Sequence, residues 1–188
     1  MNDEQRQEWY KIEERATFLI RQGQALAHTE AFPLFQVVVL PSFEPIVSWE
    51  VCEKWEDGET KSYLVVRSIW RIDLDRVQME QREAILPIKR KYLPPIEPTI
   101  EVLATPLPEV WCQTMLSKLQ QITIPIYNDG VFRDENGQQW GILDGTSYEI
   151  AFEPGHISAR FHWAEEPPTQ WQPLHAFVQE VLKELDRP

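Results

Sequence analysis

The chain predicts an α+β protein: a mostly antiparallel sheet with a four-stranded C-terminal meander, packed by N-terminal, central and C-terminal helices. Three observations carry that prediction. Apolar residues recur with a 3.6-residue period near both ends, they recur with a period of two between those ends, and paired turn signals cut the C-terminal part into short segments.

The first element is the N-terminal helix. Trp9, Ile12, Ala16, Leu19, Ile20, Gly23, Leu26 and Ala27 fall on one stripe, which predicts a helix over residues 3–28. Phe35 to Leu40 and the evenly spaced Val47, Trp49 and Val51 then read as two strands separated by Pro41 and Pro45. Asp57-Gly58 supplies the next turn, and a third strand is expected over 61–74, with Leu64, Val66 and Trp70 on one face and Tyr63, Val65 and Arg67 on the other. A polar stretch follows, then the basic, proline-rich connection at about 87–98, where the ring of each proline removes a backbone donor. A strand at 99–104 leads to a helix at about 107–121 marked by Trp111, Met115 and Leu119.

Asn136-Gly137, Asp144-Gly145 and Pro154-Gly155 divide 131–163 into four short β segments. In the last two, Tyr148, Ile150 and Phe152 face the core opposite Ile157, Ala159, Phe161 and Trp163, while Glu149, Arg160 and His162 share the other face. A two-residue loop at Pro154-Gly155 would set Glu149 opposite Arg160. The closing helix carries Trp171, Leu174, Phe177, Val178, Val181 and Leu185, with Pro173 in its first turn.

A chain of 188 residues suits one domain, 1–188, able to withdraw roughly 70% of its unfolded surface from water. The hydrophobic fraction of 43% and charged fraction of 26% are those of a globular protein. Met1-Asn2-Asp3-Glu4-Gln5-Arg6 lacks an apolar h-region, and no run of 18 apolar residues occurs, so a cytoplasmic protein is expected. The net charge of −12 falls mostly after residue 99. Such a chain repels phosphate, which argues against nucleic acid and against anionic membranes.

Chemistry-bearing patterns are sparse. Cys52 and Cys112 lack metal or redox spacing, and no nucleotide-binding, zinc-protease or nucleophile-elbow motif is present. No cofactor is expected. His156 and His162 share a strand face but stand about 20 Å apart at about 3.3 Å per residue, too far for one metal, so they read as surface histidines. Asp73 and Asp75 are expected to share a strand face and could, with Glu50, hold a divalent cation that activates water for hydrolysis. A strand end giving way to solvent explains the same letters. Asp129, Asp134 and Glu135 lack the calcium-loop pattern and read as turn residues.

Eight tryptophans exceed what a core of this size requires. Trp163 and Trp171, flanking Glu165 and Glu166, could form a contact surface in which aromatics anchor and acids steer a basic partner. The competing reading seals those rings against the last helix. Trp140-Gly141-Ile142-Leu143-Asp144-Gly145-Thr146-Ser147-Tyr148, followed by Phe152, Gly155, Trp163, Trp171, Leu174 and Phe177, resembles a segment of an uncharacterised bacterial protein family of unknown function. That resemblance implies a bacterial source and a hairpin-plus-helix unit, and it brings no catalytic residue. The leading functional expectation is a non-catalytic interaction protein, such as an adaptor, an inhibitor or an immunity-type antagonist. A metal-assisted hydrolase and a small-ligand binder with a pocket between sheet and N-terminal helix are the alternatives. Self-association as a homodimer is compatible with all three.

Overall fold

A computed structural model describes residues 3–28, 30–42, 44–85, 92–123, 145–152, 159–165, 167 and 169–185. Among the described residues, five α-helices and six strands run in the order α1 (Asp3–Ile20), α2 (Gly23–Leu26), β1 (Phe32–Pro41), β2 (Val47–Glu56), β3 (Thr60–Trp70), α3 (Ile72–Glu83), β4 (Ile100–Leu107), α4 (Glu109–Gln121), β5 (Thr146–Phe152), β6 (Ala159–Ala164) and α5 (Gln172–Leu185). The strands form one antiparallel sheet in the order β4-β3-β2-β1-β5-β6. The α+β class therefore holds. The consecutive four-stranded meander, however, is β1–β4 at the N-terminal side, and β5–β6 are added to the free edge of β1. The first half of the expected C-terminal meander, residues 131–144, lies outside the described residues, as do Trp140, Pro154-Gly155 and residues 87–91 of the basic connection.

Helices cover both faces. On one, Phe35, Val37, Trp49, Val51, Tyr63, Val65 and Ile150 pack under Cys112 and Met115 of α4 and Leu174, Phe177, Val178 and Val181 of α5. Each such side chain contributes roughly 1.5–3 kcal/mol by leaving water, and alternation along the strands delivers them all to one side. On the other face, Ile12, Ala16 and Ile20 of α1 meet Val38, Ile46, Trp70 and Met79.

The expected helix over 3–28 breaks after Ile20. Buried groups of the sheet satisfy its last carbonyls: the Ser48 hydroxyl donates to the Ile20 carbonyl at 3.0 Å, and Gln36 Nε2 donates to the carbonyls of Ile20 at 3.4 Å and Arg21 at 3.3 Å. A helix end that finds such partners can stop inside the fold. Gly23 then opens α2 close over the sheet, where a Cβ would stand 3.3 Å from Glu50 Oε2.

Asp57 (φ 54°) and Gly58 (φ 74°) turn β2 into β3 with left-handed dihedrals at both positions, the hairpin geometry expected of Asp-Gly. β3 ends at Trp70, four residues before the expected 74, and the polar stretch after it is helix α3. Its buried stripe is Asp75, Met79 and Arg82, so the helical spacing is present but two of its three members are charged. Arg82 bonds Glu8 of α1 at 2.7 Å and the Pro94 carbonyl.

The β5–β6 register pairs Glu149 with His162 and Ala151 with Arg160. It lies two residues from the expected pairing of Glu149 with Arg160. A slip of two preserves faces, so Glu149 and Arg160 remain diagonal neighbours and their side chains still bond.

Candidate functional site: the polar underlayer and the open end of the sheet

The face beneath α1 and α2 is unusual for its buried polar groups. Gln36, Ser48, Glu50, Ser68 and Glu149 are all under 9% exposed, although their alternation with Val37, Trp49 and Ile150 reads as a solvated face in sequence. Glu149 is the centre of this layer. Arg21, just past the end of α1, donates to it through Nε at 3.2 Å and Nη2 at 2.7 Å, and Arg160 of β6 donates through Nη1 at 2.7 Å. Sequence spacing cannot join Arg21 to Glu149; only the docking of α1 on β5 does so.

Farther along the same face, beyond the cover of α2, the sheet is open. A cleft of about 400 Å³ is lined by His28 and Glu30 from the α2–β1 connection, Lys54 of β2, Leu64 of β3, and Ala104, Thr105 and Pro106 of β4. His28 has φ 52°, in the left-handed region that few non-glycine residues occupy and that histidine enters more readily than most. The opposite face of that end presents Phe32, 66% exposed, and Trp55, 45% exposed. Phe32 pairs with Glu53 across the sheet, which places it diagonally beside Trp55. Lys61 stands 4.9 Å over the Trp55 ring, and Glu56, Asp57 and Glu59 at the hairpin tip are exposed.

Trp163 and Trp171, the expected aromatic anchors of a contact surface, belong to the core beneath α5. Trp163 is 5% and Trp171 is 6% exposed, with their rings edge to face at 6.1 Å, so they seal the sheet against α5 and offer no accessible anchor. The indole N–H of Trp163 donates to His175 Nδ1 at 3.0 Å, and burial pushes the His175 imidazole below its ordinary value. Glu165 is exposed, whereas Glu166 lies outside the described residues.

Glu50, Asp73 and Asp75 do not share a strand face, because Asp73 and Asp75 occupy the first turn of α3. Acids are favoured there by the helix dipole. Asp73 is exposed and paired with Arg71 at 2.9 Å, and that guanidinium holds its carboxyl below the usual range. Asp75 is fully buried and accepts from Trp70 Nε1 at 2.6 Å, the Thr99 hydroxyl at 2.7 Å and the Thr99 N–H at 3.1 Å. Glu50 lies on β2 under α2. Among the described residues no three His, Cys, Asp or Glu side chains are grouped to hold a metal ion. His162 is exposed on β6, while His156, Asp129, Asp134 and Glu135 lie outside the described residues.

Cys52 and Cys112 are both fully buried, and burial raises each thiol to about 12, which removes the thiolate that nucleophilic or redox chemistry requires. No helix among the described residues is long and apolar enough to cross a membrane. Compared with known proteins, the chain matches no family model, no curated protein and no solved structure.

Proposed function

We propose that the chain is a cytoplasmic, non-catalytic binding protein that recognises a basic protein partner at the open end of its sheet. The observation that carries this reading is Trp55, 45% exposed beside the 66% exposed Phe32. Both lie at the end of the sheet that carries the β2–β3 hairpin tip, where Glu56, Asp57 and Glu59 face solvent. Large aromatic rings yield the most binding energy per residue at interfaces, and rim acids accelerate encounter with a cationic surface. Burial of Cys52 and Cys112 withdraws both thiols from nucleophilic chemistry.

A photo-crosslinking residue placed at Phe32 in cells is expected to give a discrete adduct with a basic protein. That adduct should be lost on the charge reversal Glu56→Lys, Asp57→Lys, Glu59→Lys. No adduct, or one indifferent to the reversal, would contradict the reading. A second reading, small-ligand binding, is favoured by the cleft of about 400 Å³, a volume within the range of metabolite pockets. In that case a metabolite panel should raise the melting temperature, and His28→Ala should abolish the rise; a flat panel removes this second reading.

A further inference from the structure

We infer that Arg21 and Arg160 form a binding site for a small oxyanion, the phosphate or carboxylate head of a metabolite, at the mouth of the polar underlayer. Glu149 is 2% exposed and anchors both guanidiniums, while the arginine side chains themselves are 34% and 48% exposed. The carboxylate is thus a buried pedestal and the two cations are its exposed top. Arg21 commits Nε and Nη2 to Glu149, and Arg160 commits Nη1. Among the described residues, Nη1 of Arg21 and both Nε and Nη2 of Arg160 carry no further hydrogen bond and are the groups a ligand would meet. Guanidinium forks suit planar or tetrahedral oxyanions because two N–H groups can meet two oxygens at once.

Between them opens a cavity of about 80 Å³, bounded also by Gln36, Glu50 and Phe152. That space accepts one head group and excludes a larger body. Glu50 lies at its wall, so the anion is held at the mouth by the arginines and does not sink to the floor. The two guanidiniums are balanced in charge by Glu149 and Glu50, so the pull on an anion comes from N–H groups aimed at close range and not from a net positive field. Holding the guanidiniums in place before binding reduces the ordering cost that surface arginines meet.

The test uses the full chain at constant ionic strength, with inorganic phosphate and acetate as separate probes, read by melting temperature and by calorimetric titration. At ten times its dissociation constant a probe should raise the melting temperature by about 3 °C. A larger response to phosphate identifies a phosphate head, and a larger response to acetate a carboxylate head. Arg160→Gln should abolish the response and Arg160→Lys should weaken it. Arg15→Gln, which alters an exposed pair with Glu97 on the other side of α1, should leave it intact. Retention of Glu149 by Arg21 keeps the Arg160 variants folded, which circular dichroism verifies. Equal responses in the native chain and Arg160→Gln, or no response to either probe, would overturn the inference.

Discussion

His175 illustrates how one side chain couples protonation to packing. Its Nδ1 accepts the Trp163 indole N–H at 3.0 Å, and the Tyr148 ring stands edge-on at 5.3 Å. A doubly protonated imidazole has no lone pair for that indole, and burial lowers the folded pKa below the ordinary 6.5. The unfolded chain therefore binds a proton that the folded chain resists. The contribution to stability is complete above the unfolded value and is lost as pH falls through the lower folded one. Thermal melts from pH 7 to pH 5 should lose stability more steeply in the native chain than in His175→Gln. Superimposable profiles would contradict this. Glu149 differs in kind, because its partners carry permanent charge, so its bonds tie α1 to β5 and β6 through three charge-assisted contacts.

Among the elements, α3 shows most clearly why a sequence can conceal a helix. A hydrophobic stripe is the usual signal, yet here Asp75 and Arg82 take two of its positions because each finds buried partners in other elements. Asp75 gathers Trp70 Nε1, the Thr99 hydroxyl and the Thr99 N–H, stapling the end of β3 and the start of β4 to one helix turn. Asp75→Ala leaves the buried Trp70 indole and the half-buried Thr99 donors without their acceptor, so a loss of about 3 kcal/mol is expected in urea melts. Retention of stability within about 0.5 kcal/mol would show that water replaces the carboxylate. The strands were more legible. β1, β2, β3 and β5 stand close to their predicted places because alternation survives tertiary packing, and α5 because its stripe is wholly apolar. Register was less legible: six residues, 153–158, separate β5 from β6, and Glu149 still reaches Arg160 across the two-residue slip.

For the molecule as a whole, the sheet is covered on both faces over its centre and uncovered at one end, where Phe32, Trp55 and the cleft are found. Cys52 of β2 and Cys112 of α4 lie on opposite sides of that sheet and are both fully buried. Their accessibility therefore reports on opening of either layer. In native buffer neither thiol should react with an aromatic disulfide reagent on the timescale of minutes, and in urea both should react together as the chain unfolds. Early reaction of one alone would show that its layer opens separately from the rest.

What the sequence by itself determined is the α+β class, the identity of most strands and the apolar faces that α4 and α5 cover. These follow from periodicities of two and of 3.6 residues, which are local properties. Only the tertiary structure decided the strand order, the burial of Trp163 and Trp171, and the exposure of Trp55. It also decided that Gln36, Ser48, Glu50 and Glu149 lie under α1 and α2 and not in solvent. The physical reason is common to all of these. A polar residue on an alternating strand has the same local signature whether water or a helix end satisfies it, and only the partner that docks there, Ile20 and Arg21 among them, distinguishes the two.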